Sequence, residues 1–435
     1  MGLAVSLGIV LAGCGADDPS SEPAGTTSTS PVGSVSERGA GTASGTAAGS
    51  EAETEAGTAA TAATRLVAVG SPSIGPGGNR VLAGRAGLGA VEPVDVPLPG
   101  IPVLVLPATS GWLGEDGSPL DVSGPEPAWL VTLDDGTTVA VDETGAVVDG
   151  VRAVPAPTVD GFDDPLPDAV VVEASGVAVA LTQPTDRYPH GALGDRIEAA
   201  AVEVLGPEPG QRRLFGPEPP AVIEGLSAIV ADATGDGVPE VLVTEADADQ
   251  GASLALWTID GELLARSVGI GLGNRWRNQL AIAPVGPDGE VEIIDVRTPH
   301  IGGTVQFFRI DGEELVRVAS QSGFTSHRFG SRNLDLGAVF DADGDGALDV
   351  VVPTDRREAL GVMARRTDET GAGYDGVLIV AEVPLPGRMT TNLAVGPGPG
   401  GTQPGEAGPP SPLSVAVGTD ESVLRIWPAP APGGP

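Results

Sequence analysis

The stretch from Phe340 to Val352 reads FDADGDGALDVVV and sets aspartates at alternate positions, followed directly by valines. On a strand, alternate aspartates would share one face and repel one another. Gly344 and Gly346 instead indicate a loop, since glycine permits the sharp turns that gather carboxylates around one point. Such a loop needs a cation, and Ca²⁺ takes six or more hard oxygen ligands. The predicted ligands are the carboxylates of Asp341, Asp343, Asp345 and Asp349 and the backbone carbonyl of Ala347.

A second copy of this loop, with two departures, lies at positions 232–240. Thr234 and Glu240 stand where the first loop has aspartates, so we predict weaker Ca²⁺ binding there. The first loop is not an EF-hand loop, because an EF-hand needs Glu at its twelfth position and flanking helices. Counted from Asp341, the twelfth position is Val352, which lies in a strand-like run. The alternative for each loop is an exposed acidic turn that binds no ion tightly. The predicted ligands of the second loop are Asp232, Thr234, Asp236, Val238 and Glu240.

The loop belongs to a longer repeat. Asp236, Asp288 and Asp345 each begin an Asp-Gly motif that runs into an apolar segment, at spacings of 52 and 57 positions. An Asp-Gly-Glu motif recurs 51 positions apart, at Asp260 and Asp311. The copy at Asp288 has lost its ligands and is predicted to be metal-free, as is the Gly/Pro-rich segment 396–412. Two markers with one period indicate a structural repeat.

Short Val-rich runs between Gly, Pro and Asp predict strands throughout residues 65–428. A period of about 53 residues suits a four-stranded propeller blade and is far longer than a rung of a parallel β-helix. We therefore predict an all-β fold, a β-propeller with seven blades favoured and six or eight as alternatives. Radial repetition would protect the strand edges that an isolated sheet exposes.

The loop and the repeat together resemble the FG-GAP/VCBS repeat family, in which this nine-residue loop joins the first two strands of a propeller blade. The resemblance is clear over residues 160–360. It implies a structural role for Ca²⁺.

The N-terminal sequence MGLAVSLGIVLAGC carries an apolar run that ends in Leu11-Ala-Gly-Cys14. It resembles the lipobox of bacterial lipoproteins, which implies cleavage before Cys14 and lipid attachment there. No Lys or Arg precedes the run, so we expect the start of translation to lie upstream. We predict a signal peptide at 1–13, a disordered Ser/Thr/Gly/Ala-rich linker at 14–64 and a tail at 429–435. The protein would be exported and held at a membrane, periplasmic or at the cell surface, through this lipid alone.

The net charge of −36 argues against nucleic acid as a partner, since phosphates would be repelled. Cys14 is the only cysteine, so no intramolecular disulfide can form. No nucleophile elbow, phosphate loop or CxxC motif occurs, and no catalytic residue is assigned. We expect a monomer.

Arg, Asn, His and aromatic residues are concentrated in the segments before the predicted inner strands. Such residues suit the binding of a carboxylate, phosphate or sugar. The alternative is that each Arg pairs with an acid of the next blade, while Trp276 and Phe329 fill gaps between sheets. We predict a calcium-binding scaffold for a partner protein or glycan, including an anionic one; a polysaccharide lyase or hydrolase built on a propeller is the alternative. The predicted ligand-binding residues are Arg275, Arg277, Asn278, Arg328, Arg332 and Asn333.

Overall fold

The computed structural model describes part of the chain, and all of this part belongs to the unit Ala60–Pro435. Cys14, the predicted signal peptide and linker, and residues 431–435 lie outside it. No helix in the described ranges is long and apolar enough to cross a membrane. The described residues are 65–69, 76–113, 127–142, 144–148, 151–154, 161–208, 210–271, 273, 275–365, 376–397 and 412–430.

These residues form β-strands and one 3-10 turn, Pro76–Gly78, which confirms the predicted all-β class. In chain order the strands are β1 (Arg65–Val69), β2 (Val81–Arg85), β3 (Val94–Pro97), β4 (Pro102–Leu113), β5 (Pro127–Leu133), β6 (Thr138–Asp142), β7 (Val147–Val148), β8 (Val151–Val154), β9 (Val172–Ala174), β10 (Val177–Thr185), β11 (Glu198–Leu205), β12 (Arg212–Phe215), β13 (Val222–Ala231), β14 (Glu240–Asp247), β15 (Gly251–Thr258), β16 (Leu263–Arg266), β17 (Arg277–Ala283), β18 (Glu292–Arg297), β19 (Thr304–Asp311), β20 (Glu314–Ser322), β21 (Ala338–Asp341), β22 (Asp349–Pro353), β23 (Ala359–Ala364), β24 (Leu378–Pro384), β25 (Ala394–Pro397), β26 (Leu413–Thr419) and β27 (Val423–Trp427).

Most strands belong to antiparallel meanders of four. The first meander is β4–β7, the second β9–β12, the third β13–β16, the fourth β17–β20 and the fifth β21–β24. The sixth meander joins the two ends of the described chain, because β3 pairs antiparallel with β27 beside β26 and β25.

The described strands therefore build six meanders, whereas the period of the repeat favoured seven. The difference arises in the first part of the domain, which supplies single strands instead of a meander of its own. β1 pairs with β4, β2 pairs in parallel with β21, and β3 completes the sixth meander.

Apolar side chains on both faces of the strands join successive meanders. In β18, Ile293 packs with Leu254 of the third meander, and its neighbour Ile294 packs with Val350 of the fifth. This follows from the two-residue period of a strand, which sends neighbouring side chains to opposite faces. Burying each such side chain contributes about 1.5–3 kcal/mol. Five clusters of this kind connect the second, third, fourth, fifth, sixth and first meanders in that order.

Each meander has two ends. The loop between its first and second strands lies at one end, called here the loop end. The turn between the second and third strands, together with the entering and leaving chain, lies at the other, called here the turn end. In the fourth meander the register places Arg277 opposite Arg297, Arg297 opposite Thr304, and Thr304 opposite Ser322, so these residues form one row at the turn end.

Candidate metal centre and partner surface

The Asp341 loop joins β21 to β22, the first two strands of the fifth meander. Asp341 is 9% exposed and accepts hydrogen bonds from two loop amides, Gly344 N at 2.8 Å and Gly346 N at 3.1 Å. Both glycines have a positive φ, 84° and 92°, which other residues rarely adopt. These bonds fold the loop back over its first residue.

The folded loop gathers the predicted carboxylates. One carboxylate oxygen each from Asp341, Asp343 and Asp345 lies within 4.8 Å of the other two. Asp345 accepts a bond from Ala347 N at 2.8 Å, and the buried Asp349 accepts one from Ala342 N at 3.1 Å. Burial raises the pKa of Asp341; bonds from the two glycine amides offset this effect, and the charges of Asp343 and Asp345 add to it. Hard oxygen atoms at this spacing suit Ca²⁺.

The second loop, between β13 and β14, has the same hydrogen-bond pattern. Asp232 accepts bonds from Gly235 N at 2.6 Å and Gly237 N at 2.9 Å, and Asp236 accepts one from Val238 N at 2.7 Å. Glu240 takes the place of Asp349 and accepts from Ala233 N at 2.8 Å. The Thr234 hydroxyl donates to Glu240 at 3.4 Å, so a carboxylate is missing where the first loop has Asp343. Burial raises the pKa of Glu240.

The corresponding loop of the fourth meander has a different fold and different partners. Gly286 N donates to the carbonyl of Glu290 at 3.0 Å, which makes a shorter turn. Glu292, the counterpart of Asp349, is fully buried. Its carboxylate accepts from Arg309 Nη2 at 2.7 Å and from Arg365 Nε at 2.8 Å. Two guanidinium groups therefore neutralise this carboxylate.

Two of the six residues predicted to bind a ligand are instead engaged inside the fold. Arg277 is 3% exposed and donates to Asp295 at 2.6 Å and to Gln306 at 3.2 Å. Asn278, on the opposite face of β17, is 2% exposed and donates to the Ser326 hydroxyl at 2.9 Å. The prediction is wrong for these two residues, because the first residues of β17 are already covered by neighbouring meanders.

The other predicted residues lie nearer the surface. Arg332 forms ion pairs with Asp168 and Asp195. Pairing of an Arg with acidic residues of another blade was the alternative to ligand binding that the sequence left open. Asn333 is half-buried, and its side-chain oxygen accepts from Asp335 N at 3.1 Å. Arg275 and Arg328 are exposed, and Arg275 donates to the carbonyl of Ile270 at 3.5 Å. The six residues thus do not converge on one site.

Sequence reasoning missed a buried group of titratable side chains between the second and third meanders. His190 Nδ1 contacts the Glu224 carboxylate, and Tyr188 packs edge-on against His190. Burial, together with the charges of Glu224 and Asp195, raises the pKa of Glu198 to about 9. Burial and nearby carboxylates raise the pKa of Tyr188 to about 12. No local motif could reveal this group, because residues 188–198 meet residue 224 only in the folded chain.

A second missed cluster contains Trp276, His300, His327 and Phe329. The two imidazole rings lie 5.8 Å apart, and the Trp276 and His327 rings 4.8 Å apart. His327 Nε2 donates to the carbonyl of Ser331 at 2.7 Å, and burial lowers the pKa of His327 to about 4. Trp276 is buried, in agreement with the alternative that it fills a gap in the fold. Phe329 is 63% exposed and does not fill such a gap.

No family model and no curated protein matches the chain. Among solved structures, the rhamnogalacturonan lyase YesW shares 14% identity, with 81% of this chain and 91% of that one covered and a TM-score of 0.30. Hsv2 of "Kluyvelomyces marxianus" shares 9% identity over 64% of this chain and 78% of its own, with a TM-score of 0.30. Sqt1 of Saccharomyces cerevisiae shares 8% identity over 83% and 100%, with a TM-score of 0.29. At such TM-scores these likenesses carry no argument about function.

Proposed function

We propose that residues 65–428 form a calcium-stabilised β-propeller of the FG-GAP/VCBS type, and that it serves as a binding module for a partner protein or glycan. One observation carries the proposal. The loops at Asp341 and Asp232 occupy the same place in two meanders and share the same pattern of carboxylate-to-amide hydrogen bonds. A pattern kept at equivalent positions of a repeat supports a common task, and the gathered carboxylates favour Ca²⁺.

The six meanders serve as the blades in this proposal. The pairing of β3 with β27 supports it, since it places strands from both ends of the described chain in one meander. Such a pairing fixes the register of the last blade through the first part of the domain. The structural clusters between successive meanders supply the packing that radial repetition requires.

Calorimetric titration of the full chain with Ca²⁺ tests the metal sites. We expect one tight and one weaker site in the wild type. Asp341→Asn with Asp345→Asn should abolish the tight site, because a Ca²⁺ loop depends on its carboxylate charge. Asp288→Asn is the matched control in the fourth meander and should leave both sites unchanged. A wild-type titration without binding heat, repeated at a second temperature, would contradict the proposal.

We propose further that Cys14 carries the lipid that holds the module at a membrane, on the exported side. The Leu-Ala-Gly-Cys string supports this. Cys14→Ser should move the protein from the membrane fraction to the soluble fraction and abolish labelling by a palmitate analogue. Labelling that persists in the Ser variant would refute lipid attachment at this residue.

The second candidate is a polysaccharide lyase or hydrolase, and the group around Glu198 favours it. A carboxyl group with a pKa of about 9 stays protonated at neutral pH and can serve as a general acid. Glu198 and Glu224 are however only 4% and 2% exposed, which favours the binding module. Cleavage of acidic polysaccharides by the wild type, lost in Glu198→Gln, would support the enzyme; absence of cleavage would leave the binding module as the better account.

A further inference from the structure

The turn end of the fourth meander is built largely from segments without acidic residues. Asp and Glu together number 59 of 435 residues, yet three stretches in and beside this meander contain neither. They are 263–287, 296–310 and 315–334. The fold brings them together, because they supply β17 with the chain that enters it, the turn between β18 and β19 with most of β19, and most of β20 with the chain that leaves it.

Strand alternation then places arginines of these stretches on one face. Ile293, Asp295 and Arg297 share a face of β18, and Ile293 packs against the third meander. Arg277 faces the same way, since it bonds both Asp295 and the carbonyl of Ala252 in β15. On β20, Leu315 packs in the same cluster as Ile293, so Arg317, two residues on, also faces the third meander.

The charges on this face do not balance. Arg277 is neutralised by Asp295, with their atoms 2.6 Å apart. Among the described residues, no carboxylate lies within the 4.0 Å of an ion pair from Arg275, Arg297 or Arg317. Three guanidinium groups thus have no ion-pair partner in the described part of a protein whose net charge is −36.

The arginines also act on one another. Burial lowers the pKa of Arg297, and the charges of Arg277 and Arg275 lower it further; Asp295 offsets part of this effect, and Arg317 adds to it. Arg277 and Arg297 also lie opposite each other on neighbouring strands, an arrangement in which like charges destabilise a sheet.

Three exposed apolar side chains lie in the same acid-free stretches as these arginines. Val268, Ile301 and Phe329 are 81%, 64% and 63% exposed, the three largest values among the large apolar residues described. Val268 contributes its carbonyl to Arg277, and Ile301 lies in the turn that follows Arg297. Arginine next to exposed apolar and aromatic side chains is typical of protein–protein interfaces, which have an apolar centre and a polar rim.

We propose that this surface, made by Arg275, Arg297, Arg317, Val268, Ile301 and Phe329, binds an acidic segment of a partner protein in which carboxylates alternate with apolar residues. The inference rests on the proposed function as a binding module and names the chemistry of its partner. Carboxylates would pair with the three arginines, and apolar side chains would cover the exposed Val268 and Ile301. The aliphatic Val268 and Ile301 favour a peptide over a polar glycan, because apolar peptide side chains would remove their exposed surface from water.

A labelled synthetic peptide with alternating Glu and Leu tests the surface, with a Gln-for-Glu peptide as the matched probe. Fluorescence anisotropy with the full chain at about 0.15 M salt is suitable, because a Debye length of about 8 Å screens distant carboxylates. We expect saturable binding of the Glu peptide and at least about tenfold weaker binding of the Gln peptide.

Arg275→Ala with Arg297→Ala and Arg317→Ala should weaken binding of the Glu peptide by about tenfold or more. If the triple variant folds poorly, the double variant Arg275→Ala with Arg317→Ala replaces it, because it keeps the half-buried Arg297. This double variant should also bind the Glu peptide more weakly than the wild type. Arg213→Ala with Arg356→Ala and Arg388→Ala removes the same charge from exposed positions of other regions and should bind as the wild type does.

Equal binding by the wild type and both surface variants would overturn the inference, as would no binding by the wild type. Preference for polygalacturonate over the Glu peptide, lost in the surface variants, would overturn the choice of a protein partner. Calcium titration of the same samples separates the two proposals. If no Ca²⁺ binds but the Glu peptide still binds more tightly than the Gln peptide, only the proposed function is contradicted. If Ca²⁺ binds but the two peptides bind equally, only the acidic partner is contradicted.

Discussion

The Asp341 loop and the loop at 284–292 occupy the same place in neighbouring meanders but differ in the groups that donate to their carboxylates. Both lead into a second strand that begins with a buried carboxylate, Asp349 in the fifth meander and Glu292 in the fourth. Glu292 meets Arg309 and Arg365 directly. In the Asp341 loop, backbone amides donate to Asp341 and Asp345 in the bonds that shape the loop.

The difference shows two solutions to one electrostatic problem. A carboxylate removed from water needs a compensating charge or strong hydrogen bonds. The fourth meander supplies that charge from its own and the next meander's arginines, so its loop can lose the aspartates. The fifth meander keeps three gathered carboxylates, to one of which loop amides donate, and their spacing suits an added Ca²⁺. Each loop therefore predicts a different response to metal.

Glu292→Ala should have the largest effect and should be independent of Ca²⁺. The substitution leaves Arg365, 5% exposed on its side chain, without its carboxylate partner. Breaking a buried ion pair in this way costs about 3–5 kcal/mol. Urea unfolding in Ca²⁺ and in EDTA should show the same loss of free energy of unfolding. A loss seen only in Ca²⁺ would remove the distinction between the two loops.

Asp345→Ala should remove most of the stabilisation that Ca²⁺ gives, while Asp236→Ala should remove a smaller part. The Asp341 loop has more carboxylates than the loop at Asp232, so it should bind Ca²⁺ more tightly. The measurement is the shift of the unfolding midpoint between EDTA and Ca²⁺ for each variant. A larger loss for Asp236→Ala would reverse the predicted order of the two sites.

Thr234→Asp should have the smallest effect, a gain. It gives the second loop the carboxylate that Asp343 supplies in the first, and a tenfold gain in Ca²⁺ affinity corresponds to about 1.4 kcal/mol. Calorimetric titration should show the weaker site moving towards the tighter one. Asp288→Asn again serves as the unaffected control, and unchanged affinity in Thr234→Asp would show that its carboxylate count does not limit the second loop.

The sequence predicted the elements that depend on local pattern. Glycines between alternate aspartates fixed the Asp341 loop, and Val-rich runs fixed the strands on either side of it. The number of meanders was predicted less well, because β3 pairs with β27 across more than three hundred residues and no local signal marks such a pairing. The same holds for β2, which joins the fifth meander instead of starting one.

The partner surface shows the same limit. Arg277 and Arg297 belong to separate acid-free stretches, but only the strand register shows that they lie opposite each other. Asp295 then neutralises Arg277 and leaves Arg297 unpaired by any described carboxylate. The sequence predicted ligand binding for Arg277, which the fold buries, and not for Arg297, which stays partly exposed. The two could not be told apart, because both stand at strand ends in similar apolar surroundings.

Thermal unfolding of the full chain in EDTA and in Ca²⁺ is the most direct test of Ca²⁺ binding at the Asp341 loop. A ligand that binds only the folded state stabilises it by about 2.7 kcal/mol at a concentration roughly a hundredfold above its dissociation constant. We predict a higher midpoint in Ca²⁺ for the wild type, and a shift largely lost in Asp345→Ala. An unfolding midpoint that is the same in EDTA and in saturating Ca²⁺ would contradict the account.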